Sequence, residues 1–120
     1  MRLPIQYALT YPDRVPSPAP PPDLLATGRL DFHGPDEARF PALRIARDAG
    51  RIGSRAAAAF IAADEVAVGR FLDGTLDFPG IPRLLAAAVE RWGSGDQEPD
   101  LPALVALDAE VRAACAELRP

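Results

Sequence analysis

The chain has 120 residues, 48% of them apolar, with 13 basic against 17 acidic side chains and a formal net charge of −4. That length allows one modest core, and the mild negative charge speaks against a nucleic-acid or anionic-membrane surface. All 13 basic residues are arginine, which removes lysine chemistry such as Schiff bases.

The lone cysteine cannot form an internal disulfide and suits a reducing, cytoplasmic setting. No stretch has the pattern of a signal-peptide core or of a bilayer-spanning run. The Ala-rich composition favours helices.

In chain order, Pro4 sits where a first helical turn tolerates it. Ile5, Ala8 and Leu9 then fall at i, i+3 and i+4, and Pro12 stops the pattern. So short a helix needs a body to pack on, so Leu3, Ile5 and Leu9 are expected to be partly exposed or tucked onto the chain's own linker. Residues 13–36 read as a linker in which Pro16, Pro18, Pro20, Pro21 and Pro22 favour an extended path. A Pro-rich tract can also be a docking ligand, but a spacer between two structured elements fits it better. The alternation over Gly28-Arg29-Leu30-Asp31-Phe32 predicts at most one short edge strand.

Helices dominate from there. Pro41 opens one that Gly50 is expected to end. Ser54 is expected to cap a second, running to about Asp73 before Gly74. A third opens after Gly80; its Ile81, Leu84, Leu85, Ala88, Val89 and Trp92 form the cleanest apolar stripe in the chain, opposite Arg83, Glu90 and Arg91. Asp100 caps the fourth, where Leu104, Leu107, Val111, Cys115 and Leu118 share a side. The predicted fold is mainly α: a small four-helix bundle over residues 37–120, preceded by a short helix (1–12) and an extended Pro-rich linker (13–36).

A search for chemistry finds little. His33 is the only imidazole and sits before a Gly-Pro turn, so it reads as a surface residue. No second His or Cys stands at ligand spacing, so a zinc site has no ligand set. Cys115 lies on an apolar stripe, where a thiol behaves as a small hydrophobe. No glycine group forms the strand-to-helix turn that cradles a dinucleotide. Asp64 falls between Phe60, Ala67, Val68 and Phe71 on a helical wheel and so is expected to face the interior, tied to polar groups of the linker or of a partner domain. Glu65 sits at the edge of that arc. Adjacent helical residues diverge by ~100°, so the pair cannot clamp one ion. The expectation is that this chain has no catalytic, cofactor-binding or metal-binding residue of its own.

Several runs, in order and at compatible spacing, carry a family resemblance. They are the opening run Met1 to Pro12, Asp31-Phe32 with Pro35-Asp36, and Arg39-Phe40-Pro41-Ala42-Leu43-Arg44. Ala63-Asp64-Glu65-Val66-Ala67-Val68 follows, then Asp77-Phe78 with Ile81-Pro82-Arg83. Together they resemble the C-terminal part of the 1-deoxy-D-xylulose-5-phosphate reductoisomerases, as far as about Trp92.

The resemblance implies that residues 1–12 correspond to the end of that family's catalytic domain, that most of the active site is built before this point, and that the partners are the catalytic and NADPH-binding domains, in cis or as a separate chain. For the whole enzyme it implies NADPH, a divalent cation (Mg or Mn), and conversion of 1-deoxy-D-xylulose 5-phosphate to 2-C-methyl-D-erythritol 4-phosphate in the non-mevalonate isoprenoid pathway. Met1 matches a family residue close to cofactor and substrate. The sequence departs from the pattern at Ile61 and Asp64, where the family usually carries Asn, which predicts weaker ties between bundle and catalytic domain. The alternative is a stand-alone, non-catalytic helical interaction module.

Overall fold

Pro12 and a hydrogen-bonding Thr10 set the end of the first helix, α1 (Arg2–Thr10). The Thr10 hydroxyl bonds to the carbonyl oxygens of Gln6 (3.1 Å) and Asp13 (2.9 Å), and the Asp13 amide donates to the Thr10 carbonyl at 2.8 Å. The Gln6 side-chain amide donates to the carbonyls of Val15 (3.2 Å) and Pro16 (2.9 Å), which folds the start of the linker back on α1. Tyr7 meets Tyr11 edge-on at 5.8 Å, and the Arg14 guanidinium lies 5.0 Å from the Tyr7 ring centroid.

The computed structural model describes residues 2–17, 19–95 and 97–119, which contain six helices and no strand. They divide into two compact units, residues 1–33 and 34–120. The first unit corrects one expectation. Its linker is not extended throughout, because Asp23 caps a one-turn helix, α2 (Leu24–Thr27), accepting from the amides of Leu25 and Ala26, and Gly28 at φ +67° ends it. The alternating run at Leu30 to Phe32 forms no strand, within the expectation of at most one, since no segment among the described residues pairs with it and a strand needs a ladder. Arg29 and Asp31 pair with each other at 2.7 Å instead.

The second unit holds α3 (Ala42–Ile52), α4 (Ser54–Leu72), α5 (Gly80–Trp92) and α6 (Leu101–Glu117). The α3 helix runs through Gly50 and stops at Gly53, whose φ of +139° no other residue adopts easily. Gly53 also occupies the cap position of α4, so Ser54 is the first helical residue rather than the cap, and its hydroxyl bonds to Glu98 instead. Asp100 caps α6 as its position predicts, accepting from the Ala103 amide at 2.9 Å.

The arrangement follows from side-chain size. Ala59, Ala62, Ala63 and Ala67 line α4 with zero exposure, so three neighbours approach it closely. It packs on α3, α5 and α6; α5 also touches α3 and α6, while α3 and α6 do not meet. The four helices are thus a central α4–α5 pair flanked on either side. Leu84, Leu85, Ala88, Trp92, Leu107, Val111 and Cys115 fill the space between them, the stripes that periodicity marks on α5 and α6. One Nη1 of Arg70 donates to the carbonyls of Cys115 and Leu118, both at 2.7 Å, and fastens the end of α6 to α4.

Candidate functional site

Residues suspected of chemistry from sequence are scattered. Met1 lies outside the described residues. His33 is exposed in irregular chain. Cys115 is fully buried; burial pushes its thiol up, although Arg70 and Arg91 pull the other way.

Asp64 is half-buried rather than interior, and no described side-chain hydrogen bond or ion pair reaches it, so the expected tie to the linker is not among the described contacts. Its neighbours on α4, Ala63 and Ala67, are fully buried. Glu65 pairs with Arg112 of α6 at 2.7 Å, and Arg112 also binds Asp108 at 2.6 Å. These two carboxylates hold the guanidinium firmly protonated. That α4–α6 tie was invisible in sequence, because 47 positions separate its two ends.

Among the described residues, no group of three or more His, Cys, Asp or Glu side chains is placed to hold a metal ion. Gly53 and Gly80 each stand at the start of a helix, but neither follows a strand. Among the described residues there is thus neither a cluster of cation ligands nor a strand-to-helix glycine turn.

The second unit instead offers exposed apolar surface in two places. Phe40, Phe71 and Phe78 form an aromatic trio, with Phe78 edge-on to Phe40 (6.5 Å) and to Phe71 (5.9 Å). Beside it a groove of about 570 Å³ opens between the first turns of α3 and α5, floored by Phe40, Ile45, Phe78 and Ile81. Arg39, Arg44 and Arg83 stand along it. A smaller recess of about 320 Å³ on α4 and α6 is lined by Ala58, Ile61, Leu104, Val105 and Asp108, with Ile61 55% exposed. In the first unit, Leu3, Ile5 and Leu9 of α1 are exposed, Leu9 by 81%. Sequence reasoning missed the trio, since nothing in the spacing of residues 40, 71 and 78 marks them as neighbours.

The family model for the DXP reductoisomerase C-terminal domain matches residues 1–114. The chain belongs to the DXP reductoisomerase C-terminal domain family. The DXP reductoisomerase match continues past Trp92 into α6, further than the motifs alone carry it. Relatives agree. A 1-deoxy-D-xylulose 5-phosphate reductoisomerase of Symbiobacterium thermophilum is 49% identical over 98% of this chain and 30% of its own length. That of Thermomicrobium roseum is 45% identical over 98% of this chain and 31% of its own. One from a Bradyrhizobium species is 42% identical over 100% and 30%. The chain thus spans about 30% of the length of these reductoisomerases. A match continuous through α1, the linker and all four packed helices does not favour an unrelated interaction module. No helix of the described residues is long and apolar enough to cross a membrane.

Proposed function

We propose that this chain is the structural, C-terminal part of a 1-deoxy-D-xylulose 5-phosphate reductoisomerase and works together with the NADPH-binding and catalytic domains of that enzyme, in cis or as a separate chain, in the cytoplasm. The carrying observation is the match of nearly the whole chain to relatives bearing that name and to the family model of their C-terminal domain. On this reading the exposed Ile5 and Leu9 of α1 and the Ile61 recess on α4 and α6 are surfaces covered by the rest of the enzyme. NADPH and a divalent cation belong to that enzyme's other domains, and no residue of this chain is assigned to catalysis, cofactor or metal. The role of the chain is to complete and support the catalytic body, with Ile61 and Asp64 replacing two family amides at the contact.

The upstream portion of the Symbiobacterium thermophilum relative, produced without its own C-terminal part, tests this. Mixed with the chain, it is expected to form a one-to-one complex by analytical ultracentrifugation and to oxidise NADPH in the presence of 1-deoxy-D-xylulose 5-phosphate and magnesium. The chain alone is expected to oxidise none. Turnover by the isolated chain, or no complex at micromolar concentrations, would overturn the proposal.

A further inference from the structure

We propose that the groove between the first turns of α3 and α5 is the seat for an acidic, apolar peptide segment of the upstream reductoisomerase domains. The inference rests on the docking role proposed above and adds where and by what chemistry docking is held. The floor is apolar, formed by Phe40, Ile45, Phe78 and Ile81, and at about 570 Å³ it admits a short run of side chains. Phe40 and Phe78 are each about half exposed, an arrangement that leaves aromatic surface in water unless something covers it.

Charge then selects the occupant. Three arginines line the groove and no carboxylate does, in a chain whose net charge is −4. Arg83 is partly satisfied by Asp77 at 3.0 Å from outside the lining. Arg44 reaches Asp48 only at 3.9 Å, and Arg39 has no ion pair among the described residues, its guanidinium lying 5.4 Å from the Phe40 ring centroid. Two planar donors therefore remain for incoming carboxylates. A basic segment would meet like charge, and a purely apolar one would cover these guanidinium groups without a partner.

Both lips are fixed before anything binds. The Phe40 amide donates to the Asp36 carbonyl (2.8 Å), and the Gly80 amide to that of Asp77 (2.9 Å). A Cβ at Gly80 would stand 2.5 Å from Leu76 Cδ1 and 2.6 Å from Asp77 Oδ1, so those side chains would have to shift to admit one. A rigid seat loses less on association than a mobile one.

The test uses the same upstream portion of the Symbiobacterium thermophilum relative, with binding followed by isothermal titration calorimetry. The double variant R39E/R44E is expected to bind roughly 10-fold or more weakly. Phe78→Ala is expected to weaken binding by a similar factor through the floor. Raising sodium chloride from about 0.05 to about 0.5 M should weaken the wild-type complex several-fold and R39E/R44E little. Both arginines are exposed, so the helical circular dichroism and melting temperature of R39E/R44E should match the wild type. Wild-type binding that R39E/R44E leaves unchanged, with no salt dependence, overturns the groove and leaves the docking role standing. No wild-type complex at all overturns both.

Discussion

The two units of this chain use the same secondary structure for opposite ends. In residues 34–120 each helix gives up side chains to a shared interior, with Leu84, Leu85, Val111 and Cys115 fully enclosed. In residues 1–33 neither helix buries a single residue, and order comes from local polar contacts: the Gln6 amide on Val15 and Pro16, the Thr10 hydroxyl, the Asp23 cap. Hydrogen bonds of that kind each contribute only about 1 kcal/mol net, whereas enclosing a leucine contributes about 1.5–3 kcal/mol. Helix formation is therefore no measure of autonomy. The second unit has the core of an independent fold; the first has a conformation suited to being covered.

The comparison breaks most readily at the core. Leu84→Ala is expected to cost about 2–5 kcal/mol in urea unfolding, while Leu9→Ala on exposed α1 changes the same transition by less than about 0.5 kcal/mol. Similar costs for both would mean that α1 shares the core. Arg70→Ala removes the two hydrogen bonds that its Nη1 donates to carbonyls at the end of α6. A loss of about 1–3 kcal/mol is expected, with amide exchange accelerating first in the last turn of α6; uniform acceleration would refute the fastening role.

Cys115 gives a pH test confined to the second unit. Its buried thiol is held above its ordinary value, so the folded state keeps the proton that the unfolded chain releases. Stability should be flat below the unfolded thiol value of about 8.5 and fall as pH rises beyond it. Cys115→Ala should lower the plateau and flatten that alkaline limb; an unchanged limb would assign it to other groups. The smallest effect is expected from deleting residues 1–12. The melting temperature of the remaining helices should stay within about 2 °C, and any self-association should fall. A large drop would make α1 integral to the fold.

How much was legible follows from the range of the interactions. The α5 and α6 stripes, the Asp100 cap and the Gly74 stop are local patterns, and each appears where periodicity or capping chemistry puts it. Gly50 and Gly53 show the limit of such rules. Both are glycines near a helix end, and only the backbone path decides that Gly53 takes the positive φ. The α2 turn carried an Asp cap and a Gly stop that the surrounding prolines masked. Leu30 to Phe32 had strand alternation but no ladder. Asp64 was expected to face the interior but is half-buried, although Ala63 and Ala67 beside it are fully enclosed. The aromatic trio, the arginine-lined groove and the Glu65–Arg112 pair are tertiary, and no spacing rule could assemble them.

The single tryptophan carries one more consequence. Trp92 is 6% exposed, its indole N–H donates to Glu110 at 2.7 Å, and the Arg91 guanidinium lies 4.6 Å from its ring centroid. The only two tyrosines of the chain, Tyr7 and Tyr11, both belong to the first unit. Each unit therefore carries its own chromophore. Excitation at the red edge of the protein band lights the helical core alone, whereas the tyrosine band also senses the N-terminal segment. Intrinsic emission can thus follow the covering of one unit and the melting of the other in a single cuvette, with no label attached.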